Sequence, residues 1–190
     1  MGDLLIRRRM LVPSEPNPLV YSLYNQSFSA GDSFSTGFKA FDADVACTIL
    51  LDVTISSRPT SGNGANFKLI FGGANAFSYG TRNTSATNLY YYWFNDNSYT
   101  DAGTSYTAGA RYRICVKHSA NSNYVYVRTK KNTGTRNDKS SNKTFSAKTS
   151  VLCFGNPNGT NGLPNGTITK AEVYNVYYSD TDDIIVDFFA

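Results

Sequence analysis

From residue 19 to the carboxyl end, short apolar runs alternate with clusters of Gly, Asn, Ser, Thr and Asp. The runs predict strands over 19–24, 46–55, 67–72, 76–79, 89–94, 111–117, 124–129, 151–155 and 167–178. Ala46–Ile55 is the strongest, rich in β-branched residues with Asp52 its only charge. Arg111–Lys117 and Tyr124–Thr129 alternate apolar and polar positions with a period of two, and Ser119–Asn123 reads as the hairpin loop between them. No segment of ten residues or more has the 3.6-residue period of an amphipathic helix. One helical turn is expected near Ser179–Asp183, where Ser and Asp suit an N-cap. Many short strands separated by turn residues predict an all-β sandwich or barrel.

The first twelve residues break this pattern. Leu4-Leu5-Ile6, Arg7-Arg8-Arg9 and Met10-Leu11-Val12 make a basic, apolar arm, followed by a proline-rich linker from Pro13 to Pro18. The reading is an arm over 1–12 and one β-domain over 13–190, a size that suits a single core. Composition narrows the class further. Charged residues make up 17% of the chain, against roughly 25% in an average domain. Ser, Thr and Asn supply 58 of the 190 residues, and aromatics reach 14%. That aromatic content argues against a disordered chain, and no apolar run approaches the ~18 residues of a membrane span. The arm lacks the layout of a secretory signal, and Ile6 stands where myristoylation needs Ser or Thr. The expectation is synthesis in a reducing cytoplasm, with Cys47, Cys115 and Cys153 as buried free thiols and the five Asn-X-Ser/Thr sequons unused.

Catalytic chemistry finds little support. His118, the single histidine, ends a strand beside Ser119 and reads as a solvated imidazole; no Gly-X-Ser-X-Gly elbow accompanies it. Zinc-binding Cys and His spacings are missing, and Gly62-Asn63-Gly64 and Gly72-Gly73 precede no helix that could cradle a phosphate. Glycosidases need paired carboxylates, yet Glu15 and Glu172 are the only glutamates, and no acidic pair sits on a predicted strand. No cofactor is expected. Calcium stays open: Asn95, Asp96, Asn97 and Asp101 cluster after strand 89–94, so Asp96 and Asp101 are candidate metal ligands, although Asn and Asp also serve ordinary turns. Asp180, Asp182 and Asp183 read as a helix start.

The binding candidates lie elsewhere. Leu89-Tyr-Tyr-Tyr-Trp-Phe94 puts aromatic residues on both faces of one strand. Tyr91 and Trp93, with Asn95, Asp96 and Tyr99, form a candidate glycan site, since sugar rings stack on aromatic rings while amides and carboxylates take their hydroxyls. Packing in the core is the competing reading, and the sequence leaves both open. Arg7, Arg8 and Arg9 could dock the arm on a partner. The basic segment 128–148 lacks interleaved aromatics and reads as a solvated hairpin, so nucleic acid is not an expected partner.

The order of segments resembles the concanavalin A-like, laminin G-type jelly-roll domains. The likeness rests on Phe34–Asp42 leading into Thr48–Val53, on Arg111–Lys117 with Tyr124–Val127, and on Leu152–Gly155 with Gly166–Asn175. The arm resembles the starts of related proteins encoded by gut bacteria and their phages. The resemblance implies a jelly-roll sandwich of two antiparallel sheets and a non-catalytic recognition role. It carries no catalytic residue onto this sequence. The first functional expectation is therefore a phage capsid-decoration or fibre module, displayed on the virion surface and docked by its arm to a viral scaffold protein or to copies of itself. The alternative is a lectin-like adhesin for a surface polysaccharide; a polysaccharide-active enzyme is the weakest reading.

Overall fold

The computed structural model describes residues 17–29, 31–40, 42, 44–56, 68–73, 77–81, 88–93, 98–122, 124–141, 151–155 and 165–190. For residues 68, 69, 92, 93, 99 and 141 the description covers the backbone. Strand β3 (Cys47–Ile55) shows how the fold is built. Cys47, Ile49, Leu51, Val53 and Ile55 alternate onto one face and enter the main core. Leu50, on the other face, is equally buried in a second apolar cluster. A strand covered on both sides reads as a continuous apolar run, as this one does.

Two six-stranded antiparallel sheets enclose the main core in a jelly-roll sandwich. The first combines β1 (Leu19–Ser29), β12 (Asn165–Tyr174), β3, β8 (Arg111–His118), β9 (Val125–Lys131) and β10 (Arg136–Ser141), in that spatial order. The second runs β2 (Ser33–Ser35), β11 (Cys153–Gly155), β4 (Lys68–Gly72), β5 (Phe77–Thr81), β6 (Asn88–Trp93), β7 (Ser98–Ser105). Phe71 sits at the centre of the interface, its ring stacked on Tyr79 at 5.5 Å and near Phe77 and Phe154. Tyr79 then bridges the sheets, its hydroxyl 2.6 Å from Thr129 Oγ1. This bond satisfies a phenol that burial would otherwise penalise. At the far edge Asn137 donates to Thr104 at 3.2 Å, tying β10 to β7.

Three strands escape the apolar pattern. β2 is three residues long, and β10 (Arg-Asn-Asp-Lys-Ser-Ser) has no apolar residue at all. As an edge strand it needs only backbone pairing with β9, and its charges suit an edge. β7 is polar but pairs along β6 and buries Ala102 and Thr104. Gly155, at φ +88°, lets β11 end against β2: a Cβ there would lie 2.3 Å from the Asp32 carbonyl oxygen.

The last predicted strand stops at Tyr174, and the chain continues into helix α1 (Asp183–Phe189). Its N-cap is Asp182, whose carboxylate accepts from Ser179 N at 2.6 Å. Ile185, Phe188 and Phe189 occupy one helical face and cover Leu50 and Cys115 of the first sheet, henceforth the helix-backed sheet. The helix is thus longer and starts later than the single turn expected at 179–183. Its β-branched and aromatic residues have modest helix propensity, and burial of that face supplies the stability instead. No described helix is long and apolar enough to cross a membrane. All three cysteines are free and buried, and burial pushes the Cys47 and Cys115 thiols up to about 12.

Candidate functional site

Of the predicted glycan residues, Tyr91 and Trp93 fall on β6 and Tyr99 on β7 of the second sheet. Tyr91 is 1% exposed, in the core beside Phe77 at 6.0 Å between ring centroids. It shares a strand face with the buried Leu89, so its ring faces the opposite sheet and not a ligand. Of the two readings left open for this strand, core packing holds at Tyr91. Trp93 occupies the same strand alternation and pairs with Phe77 and Ser98; Tyr99 lies opposite Tyr92. Asn95 and Asp96 lie outside the described residues, as do Arg7, Arg8 and Arg9.

The outer face of this sheet is marked by Tyr90, half-buried, and by Asp101, exposed and directly opposite it. Asp101 Oδ2 accepts from Asn88 Nδ2, and its Oδ1 accepts from Gly103 N, each at 2.6 Å. These bonds orient the carboxylate as a turn-type acceptor with lone pairs left over. Among the described residues no group of three or more His, Cys, Asp or Glu is placed to hold a metal ion. The register lines up Ser35, Cys153, Gly72 and Ser78, then Tyr92 and Tyr99, across the sheet. Its first four positions give a floor of small residues. Ser78 Oγ is fully buried on this floor without a hydrogen-bond partner among the described residues, and a Cβ on Gly72 would lie 2.4 Å from it. A buried hydroxyl with no partner is uncommon and carries a desolvation cost.

The other exposed chemistry lies on the outer face of the helix-backed sheet, which the sequence reading did not single out. One transverse row of backbone register carries Lys170, Asp52, Arg113, Lys130 and Arg136 on five neighbouring strands. Arg111, one step along β8, grips Asp52 with Nε at 2.7 Å and with Nη2. This fork-to-carboxylate pairing is the strong form of the contact. Arg113 Nη1 and Lys130 Nζ donate at 2.5 Å to the Ala190 and Phe189 carbonyl oxygens. They complement the negative end of α1 from outside the helix. The available signal was the alternation of Arg111, Arg113 and Lys117 along β8, which places all three away from the sandwich core.

Beside this row the face is held by buried charges. Glu172 accepts from Tyr174 at 2.6 Å, from Lys170 at 2.8 Å and from the Tyr24 hydroxyl. Burial opposes its ionisation, but these donors outweigh burial and hold the carboxyl below the ordinary glutamate range. Lys117 and Arg128 are 1% and 2% exposed and share Asp180. The expectation of a solvated basic hairpin therefore fails at Arg128. Asp180 serves these cations while Asp182, at the N-cap position, turns its carboxylate back to Ser179 N, so the acidic cluster divides its work. His118 departs from expectation too: its ring is buried, with Nδ1 2.9 Å from the Val45 carbonyl and Nε2 3.0 Å from that of Ser122. It is built into the strand end and loop instead of standing in solvent.

No protein-family model and no curated protein matches the sequence. Solved structures show the likeness in fold. The CBM40 domain of the Ruminococcus gnavus IT-sialidase, bound to α2,3-sialyllactose, superposes with a TM-score of 0.62 at 16% identity, over 90% of this chain and 100% of that one. The binding domain of botulinum neurotoxin serotype D gives 0.56 at 12% identity. That of botulinum neurotoxin DC, in complex with SialylT, gives 0.54 at 13%. Each toxin match covers 90% of this chain but about half of the toxin domain, 51% and 50%. At 12–16% identity these likenesses show a shared β-sandwich fold.

Proposed function

We propose that this chain is a non-catalytic glycan-binding domain. The observation that carries the reading is the backbone match to a carbohydrate-binding module along that module's full length. The outer face of the second sheet supports it locally. Half-buried Tyr90 beside the Asn88–Asp101 pair offers an aromatic ring and hydrogen-bonding groups at one place. Sialylated oligosaccharides are the first probes, because two of the matched structures hold such ligands. Among the described residues nothing favours the expectation of particle decoration.

The test is a glycan panel that includes sialylated and neutral oligosaccharides and bacterial surface polysaccharides, run with and without calcium. Wild-type protein should give saturable binding to at least one class. Tyr90→Ala should weaken that binding by ~1–2 kcal/mol, roughly tenfold, while leaving the protein folded. Binding that is unchanged in folded Tyr90→Ala removes this face from the reading. Silence of the wild type across the panel removes the reading itself.

A further inference from the structure

We propose that the cleft between α1 and the outer face of the helix-backed sheet binds a sugar acid, with the ligand carboxylate on Arg111 and Arg113. The cleft has a volume of about 320 Å³, at the lower end of the range for small-ligand sites. Its floor is Asp52, Arg113 and Lys170 on adjacent strands, its mouth is Arg111, and its helical wall is Ile184, Asp187 and Phe188. Three features select the ligand.

First, the five cations Arg111, Arg113, Lys130, Arg136 and Lys170 in and beside the cleft stand against the four carboxylates of Asp52, Asp138, Glu172 and Asp187, so an anion is favoured over a neutral guest. Second, the cations retain donors. Arg111 spends two of its five N–H groups on Asp52, Arg113 one on Ala190, and Lys170 one on Glu172. A planar carboxylate can take the remaining guanidinium donors in a fork. Third, Asp187 and Asp52 add hydroxyl acceptors beside the apolar Ile184 and Phe188. That mixture fits a polyhydroxylated ring with one apolar face better than it fits a bare inorganic anion. The inference rests on the glycan-binding reading only in choosing a sugar as the carrier of the carboxylate. The cleft lies on a different sheet from the Tyr90 face.

The experiment is an amide chemical-shift titration of the full chain with glucuronic acid, N-acetylneuraminic acid, galactose and inorganic phosphate. Saturable shifts at 111–113, 170 and 184–188 are expected with the two sugar acids, and none with galactose. Arg111→Lys keeps the charge but loses the fork, and should weaken the acids at least tenfold. The proposal is overturned if the sugar acids leave these amides unmoved, if galactose moves them equally, or if phosphate binds as tightly as the sugar acids. Panel glycans that shift only residues near Tyr90 would overturn the cleft and leave the glycan-binding reading standing. Sugar acids that bind the cleft while the panel stays silent would do the reverse.

Discussion

Replacing Asp180 with asparagine is expected to destabilise the fold by about 3 kcal/mol at pH 7, the lower end for breaking a buried ion pair. The carboxylate is 44% exposed, but the cations it serves are not. Lys117 Nζ pairs with it between the rings of Tyr126 and Tyr177, at 5.4 and 4.9 Å from their centroids. Arg128 reaches it through Nη1 at 3.1 Å and Nη2 at 2.9 Å, and keeps Asp138 at 2.8 Å as a second partner. The variant thus strands Lys117 more than Arg128, and adding Lys117→Met should recover much of the loss. The effect has a pH signature. Burial raises the Asp180 pKa, but Lys117 and Arg128 outweigh burial and hold it below the usual aspartate value; Glu172 is depressed similarly. A depressed carboxyl stabilises the fold above its unfolded pKa, about 4 for these groups, and loses that contribution as pH falls further. Denaturant titrations at pH 7 and pH 3 should therefore show the wild type losing more stability on acidification than Asp180→Asn. Equal losses would mean that Asp180 does not anchor the carboxyl-terminal segment.

Phe71→Ala should cost more, about 3–5 kcal/mol, as for other buried aromatic truncations. Phe71 is fully buried, with Tyr79, Phe77 and Phe154 around it. For a chain of this length the melting temperature should fall by roughly 10 °C. A fall of only one or two degrees would show that the sheets can close over the gap, and that the interface is less tightly fitted than the stacked rings indicate.

The all-β class was legible because burial leaves a period of two. Ile49, Leu51 and Val53 alternate inward, as do Tyr112, Ile114 and Val116. β10 was illegible for the opposite reason: an edge strand held by backbone pairing leaves no apolar trace. The helix left one, in Ile185, Phe188 and Phe189, but seven residues are too few for a period to emerge. Site residues were harder. Tyr91 and Tyr90 are neighbours of the same type, and only knowledge of which face meets the other sheet sends one to the core and leaves the other half-exposed. The Lys170–Asp52–Arg113 row joins residues from three distant segments. Register brings them together, and register is set by pairing along whole strands, which spacing in the sequence does not encode. Arg128 looked like a surface charge because its partner Asp180 is supplied by a segment 52 residues away.

The most direct measurement is a calorimetric titration of the intact chain with α2,3-sialyllactose and with lactose, followed by mass spectrometry of the recovered sugar. Saturable binding of the sialylated sugar, recovered intact, is the predicted result. Release of free sialic acid would contradict a non-catalytic domain, and an absence of heat with both sugars, repeated across the polysaccharide panel, would contradict glycan binding.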